Sequence, residues 1–112
     1  VKLLFIVLNK EEYLEPVLEL FVESGVRGAT VLDSVGMGRI LAHDIPIFAG
    51  LRNLMPESRP FNKTIFTVIE DEKILPLISA IEEVMGSLDE PGTGLAFTVP
   101  VDFVRGLAPA LE

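Results

Sequence analysis

Two stretches of this chain share one plan. EEYLEPVLELF (Glu11 to Phe21) and DEKILPLISAI (Asp71 to Ile81) each open on acidic residues, place a proline early and continue as an apolar stripe, with Pro16 aligned on Pro76. Each follows a run of apolar, β-compatible residues, KLLFIVL (Lys2 to Leu8) and KTIFTVIE (Lys63 to Glu70). Each is followed in turn by another such run, ATVLDSV (Ala29 to Val35) and LAFTV (Leu95 to Val99). A chain with this order must bury strand–helix–strand units twice.

The helical spacing is explicit. Leu14, Val17, Leu18, Phe21 and Val22 recur at helical intervals, with Glu15, Glu19 and Glu23 as the wet face. Ile74, Leu77, Ile78, Ile81, Val84 and Met85 make the second stripe. Proline in a first turn loses no hydrogen bond, so the first helix is expected to begin near Glu12 or Tyr13. Gly25 and Gly86 stand where each helix should stop. The expected fold is α+β and ferredoxin-like, a double split β-α-β (βαββαβ). It consists of an antiparallel four-stranded sheet with both helices on one face. Residues 1–112 read as one such domain with a long loop at about 37–61. The tail PVDFVRGLAPALE is expected as a further edge strand or a turn of helix.

Two helices cover one sheet face and leave the other bare. The chain is 49% apolar with a mean hydropathy of +0.47, so surplus apolar surface is expected to meet sister copies. An apolar strand set such as Leu4, Ile6, Ile65, Thr67 and Ile69 on one parity needs cover, most cheaply from other copies, and the pattern leaves open which parity faces out. No apolar run approaches the roughly 20 residues of a membrane span, and the start lacks a secretory pattern. A cytoplasmic protein is expected. The net charge of −8 opposes a nucleic-acid footprint. With no cysteine and one histidine, disulfides, thiol chemistry and a histidine-rich metal site are excluded within a chain. His43 beside Asp44 reads as a solvated or hydrogen-bonded side chain, since no third ligand or nucleophile accompanies it.

Two glycine-rich corners remain. Gly36-Met37-Gly38-Arg39 leaves the second strand, and GSLDEPGTG (Gly86 to Gly94) enters the fourth. Glycines expose amides and permit positive φ, and an arginine can neutralise phosphate, so the pair could cradle a small anion. Taken singly, each corner reads equally as an ordinary turn. Between them Ile47, Phe48, Leu51, Leu54 and Met55 share one helical face, expected as a short amphipathic helix.

GATVLDSVGMGR resembles the strand and loop entry of the P-II nitrogen-regulatory signalling proteins, through Gly28, Thr30, Val31, Gly36, Met37, Gly38 and Arg39. FTVIEDEKILPLISAIEEVMG has the same family's cadence of strand, acidic turn and long helix. PGTGLAFTVPVDFVRGL resembles its second glycine loop, with Gly92, Gly94 and Phe97 matching. The resemblance implies a non-enzymatic regulatory trimer with an adenine nucleotide (AMP, ADP or ATP) in the clefts between subunits. Thr30, Gly36, Gly38 and Arg39 would line one wall, and Gly92 and Gly94 the other. It also implies a partner protein docked through the loop from Gly38 to Pro60.

Departures from the pattern remove cations. The family's lysine after the second glycine pair is Leu95 here, its lysine before the third strand is Asn62, and its paired C-terminal arginines reduce to Arg105, out of register. Lys63 is one residue late and expected on the opposite face. Charge-assisted bonds are worth about 1.5–3 kcal/mol each, so AMP or ADP fits better than ATP. The loop lacks tyrosine, which excludes tyrosine modification there. Alternative readings are an amino-acid-sensing or CutA-like module of the same fold. An acylphosphatase-like hydrolase is a weaker one, because VLNKEEY offers no glycine cradle after the first strand.

Overall fold

The computed structural model describes residues 1–44, 47 and 61–107. The elements run β1 (Lys2–Leu8), a 3-10 turn (Glu11–Tyr13), α1 (Leu14–Glu23), β2 (Thr30–Ser34), α2 (Met37–Asp44), β3 (Asn62–Ile69), α3 (Asp71–Met85) and β4 (Gly94–Pro100). The strands form one sheet in the order β2-β3-β1-β4, and every neighbouring pair is antiparallel. β1 and β2 are thus parallel strands split by β3, and β3 and β4 are split by β1. This is the expected double split β-α-β.

Local chemistry places the breaks. α1 ends in a left-handed glycine cap: Gly25 has φ +77, Gly25 N donates to the Val22 carbonyl at 3.0 Å and Val26 N to the Phe21 carbonyl at 2.9 Å. Val26 and Phe21 are both buried, which supplies the apolar contact that accompanies such a cap. α3 carries Pro76 inside it, so the Glu72 carbonyl loses its helical donor.

The core lies between the sheet and the two long helices. β1 contributes Leu4, Ile6 and Leu8, β3 contributes Ile65 and Ile69, α1 contributes Val17 and Phe21, and α3 contributes Leu77, Ile81 and Met85. Thr67 shares that face and its hydroxyl donates to the Gly28 carbonyl.

The choice of parity left open above is settled here: Leu4, Ile6, Ile65, Thr67 and Ile69 are buried under the chain's own helices rather than by other copies, and the bare parity is the other one. Three expectations need correction. Val22 and Val84, read as part of the apolar stripes, are exposed, because each stripe is wider than the strip of sheet it covers. Residues 101–107 form neither strand nor helix; Pro100 closes β4 and Gly106 adopts φ +89. The loop expected from residue 37 instead begins as α2, with Gly38 inside it. The amphipathic helix expected around Phe48 to Met55 lies outside the described residues, as do the side chains of His43 and Asp44.

Ion pairs tie the ends of the elements together. The Lys2 ammonium beside Asp71, at 2.7 Å, holds the Asp71 carboxyl below its ordinary 3.8. Glu70 is held below 4.5 first by a backbone N–H and then by Lys73, at 3.4 Å, and Arg27. A lowered folded-state value adds stability above the unfolded value, and that stability is lost as pH falls through the folded one. Asp71→Asn is therefore expected to be less stable than wild type near pH 6, with the gap closing toward about pH 3. Urea denaturation at both pH values checks this. A gap that widens on acidification contradicts the pairing.

Candidate ligand site

The end of β2 is braced before it turns. Asp33, on the helix side, pairs with Lys63, which also reaches Glu11 at 3.4 Å. Both carboxylates push the Lys63 ammonium above its usual value, the hydrogen bond to Asp33 most of all. Lys63 thus faces the helices, as its position one residue past Asn62 implies. On the opposite face Ser34 donates to the Asn62 side-chain carbonyl and shares a 2.7 Å hydrogen bond with the Thr64 hydroxyl. With its carbonyl engaged, Asn62 turns its Nδ2 toward Gly36, 3.8 Å from where a Cβ would stand.

Gly36 then caps α2: its carbonyl accepts from Ile40 N at 3.3 Å. The amides of Met37, Gly38 and Arg39 occupy the first turn, where no intrahelical acceptor exists. No acidic residue lies in that turn to offset the positive helix end. Arg39 stands in the same turn, its Cζ 5.6 Å from the centroid of the Phe61 ring. Three amides without a partner among the described residues and a guanidinium make an anion-compatible corner. It works through a helix start, however, since neither Gly36 nor Gly38 has the positive φ expected of them. Sequence signals for α2 do exist: glycine is an acceptable N-cap, and Pro46 follows two residues after Asp44.

The second corner takes the positive φ that its glycines permit. Gly92 and Gly94 adopt φ +84 and +157, and the Gly92 carbonyl accepts from Asn9 Nδ2 at 3.1 Å. Leu95 faces outward and is exposed.

Register fixes how the corners relate. Ser34 pairs with Asn62, Lys63 with Leu8, and Leu8 with Gly94, so both corners sit at the same end of the sheet. They occupy opposite edges, three strand spacings or about 14 Å apart. One chain therefore does not bring Gly36 and Arg39 together with Gly92 and Gly94. Thr30 shares the outward face of β2 with Ser34 but lies four residues down the strand, about 13 Å from it. The Ser34–Asn62–Thr64 cluster and Phe61 went unread in the sequence, because only the strand register aligns them.

The outward sheet face is apolar across three strands. Leu3, Phe5 and Val7 of β1 stand opposite Val68 and Phe66 of β3 and Val99, Phe97 and Leu95 of β4. Phe5 stacks on Phe97, centroids 4.9 Å apart, and meets Phe66 at 5.9 Å. Leu95, Phe97 and Val99 remain 55%, 45% and 41% exposed. Among the described residues no group of three or more His, Asp or Glu side chains could hold a metal, and no helix is long and apolar enough to cross a membrane.

No protein-family model matches the chain, and no curated protein matches it in sequence. Solved structures do. CPII from Thiomonas intermedia K12 bound to ADP, AMP and acetate aligns with a TM-score of 0.64 at 20% identity, over 93% of this chain and 88% of that one. The same protein bound to ADP, AMP and bicarbonate aligns at 0.60 and 18% identity, over 95% and 94%. Its apo form, described as a nitrogen regulatory PII-like protein, aligns at 0.59 and 20% identity, over 88% and 85%. With the strand order and helix placement above, these matches give the chain the fold of the nitrogen regulatory PII-like proteins.

Proposed function

We propose that this chain is a divergent PII-like signalling protein that binds an adenine nucleotide between copies of itself. The observation that carries the reading is the placement of the α2 start with Arg39 and the Gly92–Gly94 corner at one end, but opposite edges, of a sheet whose outer face is apolar. Closing that face against sister copies in a homotrimer sets the edge of one copy beside the opposite edge of the next. Gly36, Gly38 and Arg39, with Thr30 further along the same edge, then form one wall, and Gly92 and Gly94 of the neighbouring copy form the other. The similar fold of a protein solved with ADP and AMP supports this ligand class. Leu95 and Asn62 where cations would serve a triphosphate favour AMP or ADP over ATP. The role is regulatory rather than enzymatic, exerted on a partner protein through residues 38–60.

Ligand binding to the native state raises the melting temperature by mass action. ADP or AMP is expected to stabilise the protein more than ATP at equal concentration, with no shift from free amino acids. Arg39→Ala is expected to weaken ADP about ten- to a hundredfold, the value of one charge-assisted bond, while leaving the ligand-free melting temperature near wild type. Calorimetric titration measures it. An unchanged affinity removes Arg39 from the wall, and a response to amino acids alone replaces the nucleotide reading with an amino-acid sensor. Pull-down with the whole chain against one lacking residues 42–57 tests the partner surface.

A further inference from the structure

We infer that Phe61 is the positioning residue for Arg39, holding the guanidinium in place for an incoming anion; this rests on the nucleotide reading above. The Arg39 Cζ lies 5.6 Å from the Phe61 centroid, a cation–π distance. Arg39 Nε is shut off from solvent and has no hydrogen-bond partner among the described residues.

The arrangement suits the task for two reasons. The ring binds the guanidinium through its π face and consumes none of the in-plane N–H donors. It also stands on a fixed support, because Phe61 immediately precedes Asn62, whose backbone pairs with Ser34 and whose side chain is locked by the Ser34 hydroxyl. A free arginine side chain loses much rotamer freedom when it engages an anion, and a ring that restricts it beforehand lowers that loss. The residue just before β3 therefore prepares the cation just after β2, from the far side of residues 45–60.

The test is ADP affinity of the whole chain by calorimetry, for wild type, Phe61→Leu, Phe61→Tyr, Arg39→Ala and the Phe61→Leu/Arg39→Ala double variant. Phe61→Leu is expected to weaken ADP about two- to fivefold, the usual worth of an exposed cation–π contact. Phe61→Tyr, which keeps the ring, restores wild-type affinity. In the Arg39→Ala background Phe61→Leu costs nothing more. The Arg39 Nε–H proton resonance supplies a readout without nucleotide: the ring-current shift seen in wild type disappears in Phe61→Leu and persists in Phe61→Tyr. Equal ADP affinity for wild type and Phe61→Leu, or an undiminished loss in the Arg39→Ala background, overturns this inference alone. A wild-type protein that binds no ADP overturns the nucleotide reading and this inference with it.

Discussion

Gly94→Ala is expected to lower stability by roughly 3 kcal/mol, combining backbone strain with forced overpacking. A Cβ at Gly94 would stand 2.5 Å from the Val7 carbonyl oxygen, far inside any real contact. That oxygen belongs to β1, which is paired on both sides, by β3 and by β4, and cannot retreat without disturbing two ladders. The backbone at φ +157 adds to the penalty for a side chain. For a chain of this size the melting temperature should fall on the order of 12 °C. A scanning thermal melt measures the drop, and a loss of only a degree or two would mean that the β1–β4 approach is looser than described. Gly94 is thus required by the sheet before any ligand arrives. Gly36 is the control: its Cβ position is open apart from Asn62 Nδ2 at 3.8 Å, so alanine there should cost only what a poorer N-cap costs, about 1 kcal/mol or less.

Phe97→Glu is expected to abolish self-association. Phe97 stacks on Phe5 at 4.9 Å on the bare sheet face, midway along the edge strand β4 between exposed Leu95 and Val99. A carboxylate there would be desolvated without a cation opposite it in any face-to-face assembly, a cost on the order of 3 kcal/mol per copy. In the isolated chain the same carboxylate remains in water, so the fold should survive. Light scattering should find wild type at three times the 12.3 kDa chain mass and the variant at one, with unchanged far-ultraviolet circular dichroism. A variant that keeps the wild-type mass would place the contact between copies elsewhere.

The strands and the two long helices were legible to within a residue or two, because repeated apolar spacing and terminal glycines carry that information directly. Which sheet face is buried was not legible. In KLLFIVL both parities are apolar, and in NKTIFTVI Ile65 and Ile69 compete with Phe66 and Val68. The choice is made by the hand of the strand–helix–strand crossover, which puts both helices over Leu4, Ile6 and Leu8. At the site, the glycines and Arg39 could be named but their mechanics could not. A Gly-x-Gly spacing is the same string whether it forms a turn at positive φ, as at Gly92 and Gly94, or the first turn of a helix, as at Gly36 and Gly38.

The split of the two corners across opposite sheet edges has a consequence for stoichiometry. In a closed ring every copy lends one half-crevice to each neighbour, so a solitary chain owns no complete crevice and a ring of n copies owns n. Under the proposed function, nucleotide occupancy and ring closure draw on a single linked equilibrium. Diluting the protein is then expected to loosen its hold on the nucleotide, and adding nucleotide to hold the ring together.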